Sequence, residues 1–115
     1  MKKLKLIINN EKRSKFKNTF FIRKEMQTIL NLYAKMVSHN EWKDYGLTLG
    51  PREISFDFYQ RSSDKPIYKI LKNFNPKNTN ERFLLKDKNG LTLEKSESLS
   101  LLINKRNWLK FKTVG

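Results

Sequence analysis

The feature that most constrains the fold is a change of hydrophobic period near Trp42. From Ile22 to Val37 the apolar residues Ile22, Met26, Ile29, Leu30, Tyr33 and Val37 recur at helical spacing, with Arg23, Lys24, Gln27, Asn31, Lys35 and Ser38 opposite them. This predicts an amphipathic helix over Ile22 to His39. Asn40 suits a left-handed C-terminal cap, protonated His39 would complement the carbonyl end, and no capping box is evident before Ile22.

Beyond Trp42 the period is 2. Tyr45, Leu47 and Leu49 alternate, Gly50-Pro51-Arg52-Glu53 reads as a turn, and Ile54, Phe56 and Phe58 alternate with Ser55, Asp57 and Tyr59, which makes a hairpin. A turn over Arg61 to Pro66 leads to a strand over Ile67 to Lys72, with Tyr68 and Ile70 facing the core. Asn73 to Asn80, containing Pro76, reads as the most flexible interior loop. A second hairpin joins Phe83–Lys86 to Leu91–Glu94 through Asp87-Lys88-Asn89-Gly90, a strong Asn-Gly turn signal. Ser96 or Ser98 is placed to cap a short helix carrying Leu99, Leu102 and Ile103, and Trp108 to Lys112 finishes as a strand or a docked tail.

The expected architecture is therefore a single α+β domain. A meandering antiparallel sheet of four or five strands packs on one long amphipathic helix, with a short C-terminal helix. The division is a basic N-terminal strand or arm over residues 1–18, with Leu4, Leu6 and Ile8 alternating, and the α+β domain over 19–115. The apolar run that opens the chain stops after Ile8, too short for a signal core or a membrane span, so a cytoplasmic, non-membrane protein is expected. The absence of Cys excludes disulfides and thiolate metal sites and fits a reducing compartment.

The net charge is +14, unevenly spread: about +8 over residues 1–24, −2 over 25–59, +5 over 60–95 and +3 over 96–115. Basic flanks around a nearly neutral centre point to a polyanion, and nucleic acid is the commonest one. An A/T-rich genome, which favours Lys, Asn and Ile codons, would also raise the charge. Lysines far outnumber arginines, which fits contact with phosphates better than reading of base edges.

Catalytic patterns find little support. His39 is the lone histidine, a carboxylate site from Asp57 and Asp64 has nothing else behind it, and no nucleophile elbow surrounds Ser62 or Ser63. The glycines form neither a phosphate loop nor a dinucleotide fingerprint. Glu41 and Asp44, flanking Trp42, read as backbone or ion-pair partners. No enzyme activity, metal or cofactor is expected.

Trp42 and Tyr45 have two readings, an exposed recognition knuckle or a corner of the core, and the corner is expected because a large residue must fill the step from helix to strand. Of Phe16, Phe20 and Phe21, one or two rings should staple the helix start, while an exposed Phe16 among Lys12, Arg13, Lys15 and Lys17 would form an aromatic wedge in a basic arm.

The segment Phe21 to Tyr45 resembles the alphaproteobacterial "domain of unknown function 2794". The shared positions are Phe21, Arg23, Glu25, Met26, Ile29, Leu30, Tyr33, Met36, Val37, Glu41, Trp42, Lys43, Asp44 and Tyr45. Phe56, Arg61, Pro66, Tyr68 and Ile70 are similar to a later stretch of the same family. Departures are Ile22 where the family often has Asp, Asn40 where it has Gly and Lys43 where it has Arg. The resemblance supports the fold boundaries and implies no activity.

The leading functional expectation is a small non-catalytic RNA-binding protein, with the ribosome as one setting, that holds folded RNA by its phosphates. Contacts would come from the arm (Lys2, Lys3, Lys5, Lys12, Arg13, Lys15, Lys17) and from Lys69, Lys72, Lys77, Arg82, Lys86 and Lys88. The alternative is a protein-interaction module or homodimer using the Trp42/Tyr45 surface or an edge strand. Duplex DNA binding ranks third, since no helix-turn-helix pattern fits the chain.

Overall fold

The long helix, α1 (Arg23–Ser38), starts and stops on identifiable devices. A computed structural model describes residues 20–61 and 65–109 of the chain. Ile22 is the extended N-cap residue, and Glu25 Oε1 accepts its N–H at 2.8 Å. This is one half of a capping box, because an isoleucine side chain has nothing to accept the return bond. At the other end Asn40 is left-handed at φ 61°, with its N–H on Val37 O at 2.9 Å and Glu41 N–H on Met36 O at 2.9 Å. Those two bonds close a Schellman motif, and His39 Nδ1 lies 3.0 Å from Lys35 O in the last turn.

The helix is rotated from the expected facing. Ile29, Leu32 and Met36 are buried, with Met26 and Tyr33 packed at their margin, whereas Leu30 and Val37 are each 38% exposed. The cause is Glu25. It lies on the row 25, 29, 32, 36 (i, i+4, i+7, i+11), and its carboxylate meets Lys72 Nζ at 2.8 Å inside the domain. Lys72 also donates to Phe20 O at 2.8 Å. The pair turns its own row inward and leaves Leu30 on the flank.

Five strands follow in chain order, each antiparallel to the last: β1 (Asp44–Leu49), β2 (Glu53–Tyr59), β3 (Tyr68–Asn73), β4 (Phe83–Asp87) and β5 (Thr92–Ser96). The register sets Phe56 against Ile70 and Ile70 against Leu85, a row of fully buried side chains across the middle of the sheet. Ile54, Lys72 and Phe83 form the next row on the same inner face, under the N-terminal half of α1. Phe21 meets Phe56 edge-on at 6.4 Å and Phe20 packs against the same cluster, so both staple the helix start, while Phe16 lies outside the described residues.

Trp42 is the corner. It is 2% exposed and stacks on Phe58 at 4.1 Å, with Trp108 edge-on at 5.7 Å. The short helix α2 (Leu99–Asn104) is capped by Ser98 Oγ, which accepts from Leu101 N–H at 3.3 Å. Trp108 is docked after it, its Nε1 donating to Ile103 O at 3.0 Å.

Two connections add detail to the expectation. The Asn-Gly hairpin turn has a left-handed Gly90 (φ 84°) and no positive φ at Asn89, so it is a common turn closed by a glycine bulge rather than a mirror-image turn. The stretch Asn73 to Asn80 is anchored. It runs into a 3₁₀ turn at Thr79–Glu81, and Asn73 bonds Arg82 O and Glu81 O at 2.8 and 2.7 Å.

Two measurements check this packing. Leu32→Ala should cost about 2 to 5 kcal/mol in urea unfolding and Leu30→Ala much less; the reverse order would place the wrong row inside. Glu25→Gln, which strips the counter-charge from an enclosed lysine, should cost about 3 to 5 kcal/mol, and the apolar double variant Glu25→Leu with Lys72→Met should recover most of it.

Candidate nucleic-acid interface

Strand alternation sends Ser55 and Asp57 of β2, Lys69 and Leu71 of β3 and Lys86 of β4 to the sheet face opposite α1. One cross-strand row there is Asp57, Lys69, Lys86. Asp57 is 3% exposed, and its two oxygens accept from Ser55 Oγ at 2.7 Å and Thr48 Oγ1 at 2.8 Å. Both acceptors are thus engaged by neutral hydroxyls.

Lys69 and Lys86 are direct partners across β3 and β4. Like charges placed opposite each other destabilise a sheet. Neither lysine is in an ion pair with a carboxylate among the described residues. They line the floor of a groove of about 490 Å³, with Lys65 from the β2–β3 connection and Lys88 from the β4–β5 turn at its rim. Glu53 and Asp87 also border it, but Asp87 Oδ1 is taken by Asn89 N–H and Leu91 N–H, each at 2.9 Å, which hold the turn in shape. A second recess of about 420 Å³, bordered by Gln60, Ile67 and Asn89, shares Lys65 and Lys88 and extends the basic surface round the hairpin tips.

The structure therefore gathers Lys69, Lys86 and Lys88, and adds Lys65, which the sequence reading left out. Lys65 carries no local signal of its own; only the pairing of β2 with β3 shows that the residue before Pro66 stands beside the β4–β5 turn. Lys77 is exposed in the β3–β4 connection, at the far end of the sheet. Arg82 is half-buried there, its Nε enclosed without an acceptor. Lys72 is a correction. It lies on the inner face, is 4% exposed and is spent on Glu25, so it offers no charge to a ligand. Lys2, Lys3, Lys5, Lys12, Arg13, Lys15 and Lys17 lie outside the described residues, as do Ser62, Ser63 and Asp64.

The other constellations resolve toward structure. Trp42 is interior, while Tyr45 stays 40% exposed, stacked on Phe56 at 5.0 Å at the sheet edge. Burial, reinforced by the charge of Asp44, raises the Tyr33 hydroxyl above the ordinary phenol range. His39 is exposed, engaged with Lys35 O and Ser38 Oγ of its own helix. Among the described residues there is no cluster of three metal-ligating side chains, and no helix is long and apolar enough to cross a membrane.

No curated protein and no solved structure matches this chain. A family model does: it is described as "Protein of unknown function (DUF2794)" and matches residues 19–103, from just before α1 to the last turn of α2, so the chain belongs to that family.

Proposed function

We propose that this protein is a non-catalytic RNA-binding protein of the cytoplasm that holds the phosphate backbone of folded RNA in the lysine-lined groove on the open face of its sheet. The observation that carries the reading is the facing pair Lys69 and Lys86. A fold that sets two lysines directly opposite each other on neighbouring strands, with neither in an ion pair among the described residues, is relieved when an anion enters. Lys65 and Lys88 extend the field along the groove.

The chemistry favours backbone over base. Lysine is a compact point charge suited to phosphate, and the groove lining contains no aromatic ring on which a base could stack. Selectivity would then come from the shape of the RNA, and a site on ribosomal RNA is the setting that matches a small, strongly basic chain.

Binding of a fluorescein-labelled RNA hairpin, followed by anisotropy, should weaken linearly with the logarithm of salt, with a slope of roughly −0.7 to −0.9 for each phosphate neutralised. Lys69→Ala and Lys86→Ala should each flatten that slope by about one such unit and leave the melting temperature unchanged or raised, since each removes a like-charge contact. Lys77→Ala should affect binding less. Absence of binding at low salt, or equal effects of all three substitutions, would overturn the reading. Co-sedimentation with ribosomes that is stripped by salt would identify the setting.

A further inference from the structure

We infer that the β1–β2 side of the groove reads ribose: Thr48 and Ser55, fixed as hydrogen-bond acceptors by the buried Asp57, take the 2′-hydroxyl of a nucleotide whose phosphate lies on Lys69 and Lys86. The inference rests on the RNA reading of the groove and names the side chains that tell ribose from deoxyribose there.

Thr48 and Ser55 are direct partners across β1 and β2, and Asp57 follows two residues along β2, so all three side chains share the open face. Ser55 Oγ donates to Asp57 Oδ1 at 2.7 Å and Thr48 Oγ1 donates to Asp57 Oδ2 at 2.8 Å. A carboxylate has no proton to return, so each hydroxyl has spent its only hydrogen and keeps only lone pairs for a ligand. The corner is enclosed: Asp57 and Ser55 are 3% and 5% exposed, and Leu71, which faces Ser55 from β3, is 4% exposed. Hydrogen bonds in such a setting are stronger than in water and hold the two hydroxyls in one sense. Thr48 is exposed, so its oxygen is the more accessible of the two, with Ser55 behind it in the groove lining.

The groove is therefore polarised. Lys65, Lys69, Lys86 and Lys88 line it from β3, β4 and the hairpin tips, whereas β1 and β2 contribute Thr48, Ser55 and Glu53, all oxygen acceptors, and no cation. A phosphate oxygen is refused on that second side, because it too can only accept. A hydroxyl is received there as a donor. In RNA the two groups are neighbours, since each 3′-phosphate adjoins a 2′-hydroxyl on the same sugar, while DNA offers the phosphate without the donor. Lys69 lies diagonal to Ser55 across β2 and β3, a separation of about 7 to 8 Å that the flexible lysine stem shortens to the span of one phosphate and its sugar.

One fluorescein-labelled hairpin sequence, made in ribose and in 2′-fluoro form, tests this by anisotropy on the full chain, because fluorine keeps the A-form sugar and removes the donor. The ribose hairpin should bind about three- to tenfold tighter, with the same salt slope for both, since the slope counts phosphates. Thr48→Val, at an exposed strand position that suits a β-branched residue, should abolish the preference without altering the slope, and Thr48→Ser should retain it. Asp57 acts as a positioning residue. Asp57→Asn should also erode the preference, because an amide nitrogen donates to one hydroxyl and frees its hydrogen to point into the groove. A merely structural Asp57 would instead lower the melting temperature and weaken both hairpins alike. Equal binding of the two hairpins with an intact salt slope would overturn the inference and leave the phosphate reading standing, as would a preference that follows base sequence and not the sugar. A ribose preference that Thr48→Val leaves untouched would overturn the assignment to this side of the groove. Failure of either hairpin to bind at low salt would remove the RNA reading, and this inference with it.

Discussion

A single enclosed ion pair organises the domain. Lys72 sits on the inner face of the sheet between Ile54 and Phe83, where an unpaired ammonium would be intolerable, and Glu25 answers it from the first turn of α1. The same Glu25 oxygen accepts the Ile22 N–H, and the same Lys72 nitrogen donates to Phe20 O. One pair of side chains therefore caps the helix, ties the preceding chain and sets the helix rotation. The aromatic staple of Phe21 on Phe56 and the burial of Ile29, Leu32 and Met36 follow from that rotation. A buried pair is weak as a source of stability, but it penalises every other rotation by leaving a charge uncovered.

This explains which parts of the fold were legible in the amino-acid order. The helix, its Asn40 stop, the corner at Trp42, the β1–β2 hairpin and the meander all rest on local period and turn chemistry, and each is present. The facing of α1 is not a local property. Leu30 and Leu32 are equally apolar, and only the contact from Glu25 to a residue 47 positions away chooses between them. Lys72 was misplaced for the same reason. Read by composition it was one more surface cation, but the register that sets Ile54 opposite it puts it inside.

The candidate site shows a similar limit. That the second half of the chain was basic could be read directly, and Lys69, Lys86 and Lys88 lie where strand alternation sends them. What could not be read was convergence. Lys65 joins them through hairpin pairing, while Lys77 and Arg82, close in sequence, are carried to the other end of the sheet. Asp57, for which the sequence supported no carboxylate site, is enclosed by Ser55 and Thr48 and serves the sheet.

The lysine groove and the exposed apolar margin are segregated by the fold. The facing lysines occupy the sheet side away from the helices, whereas the apolar margin lies beside α1 at the β1 edge. Their driving forces respond to ionic strength with opposite signs. Phosphate contact weakens as salt rises, because counterions compete for the anion, while association of two chains of +14 through neutral side chains strengthens as repulsion is screened.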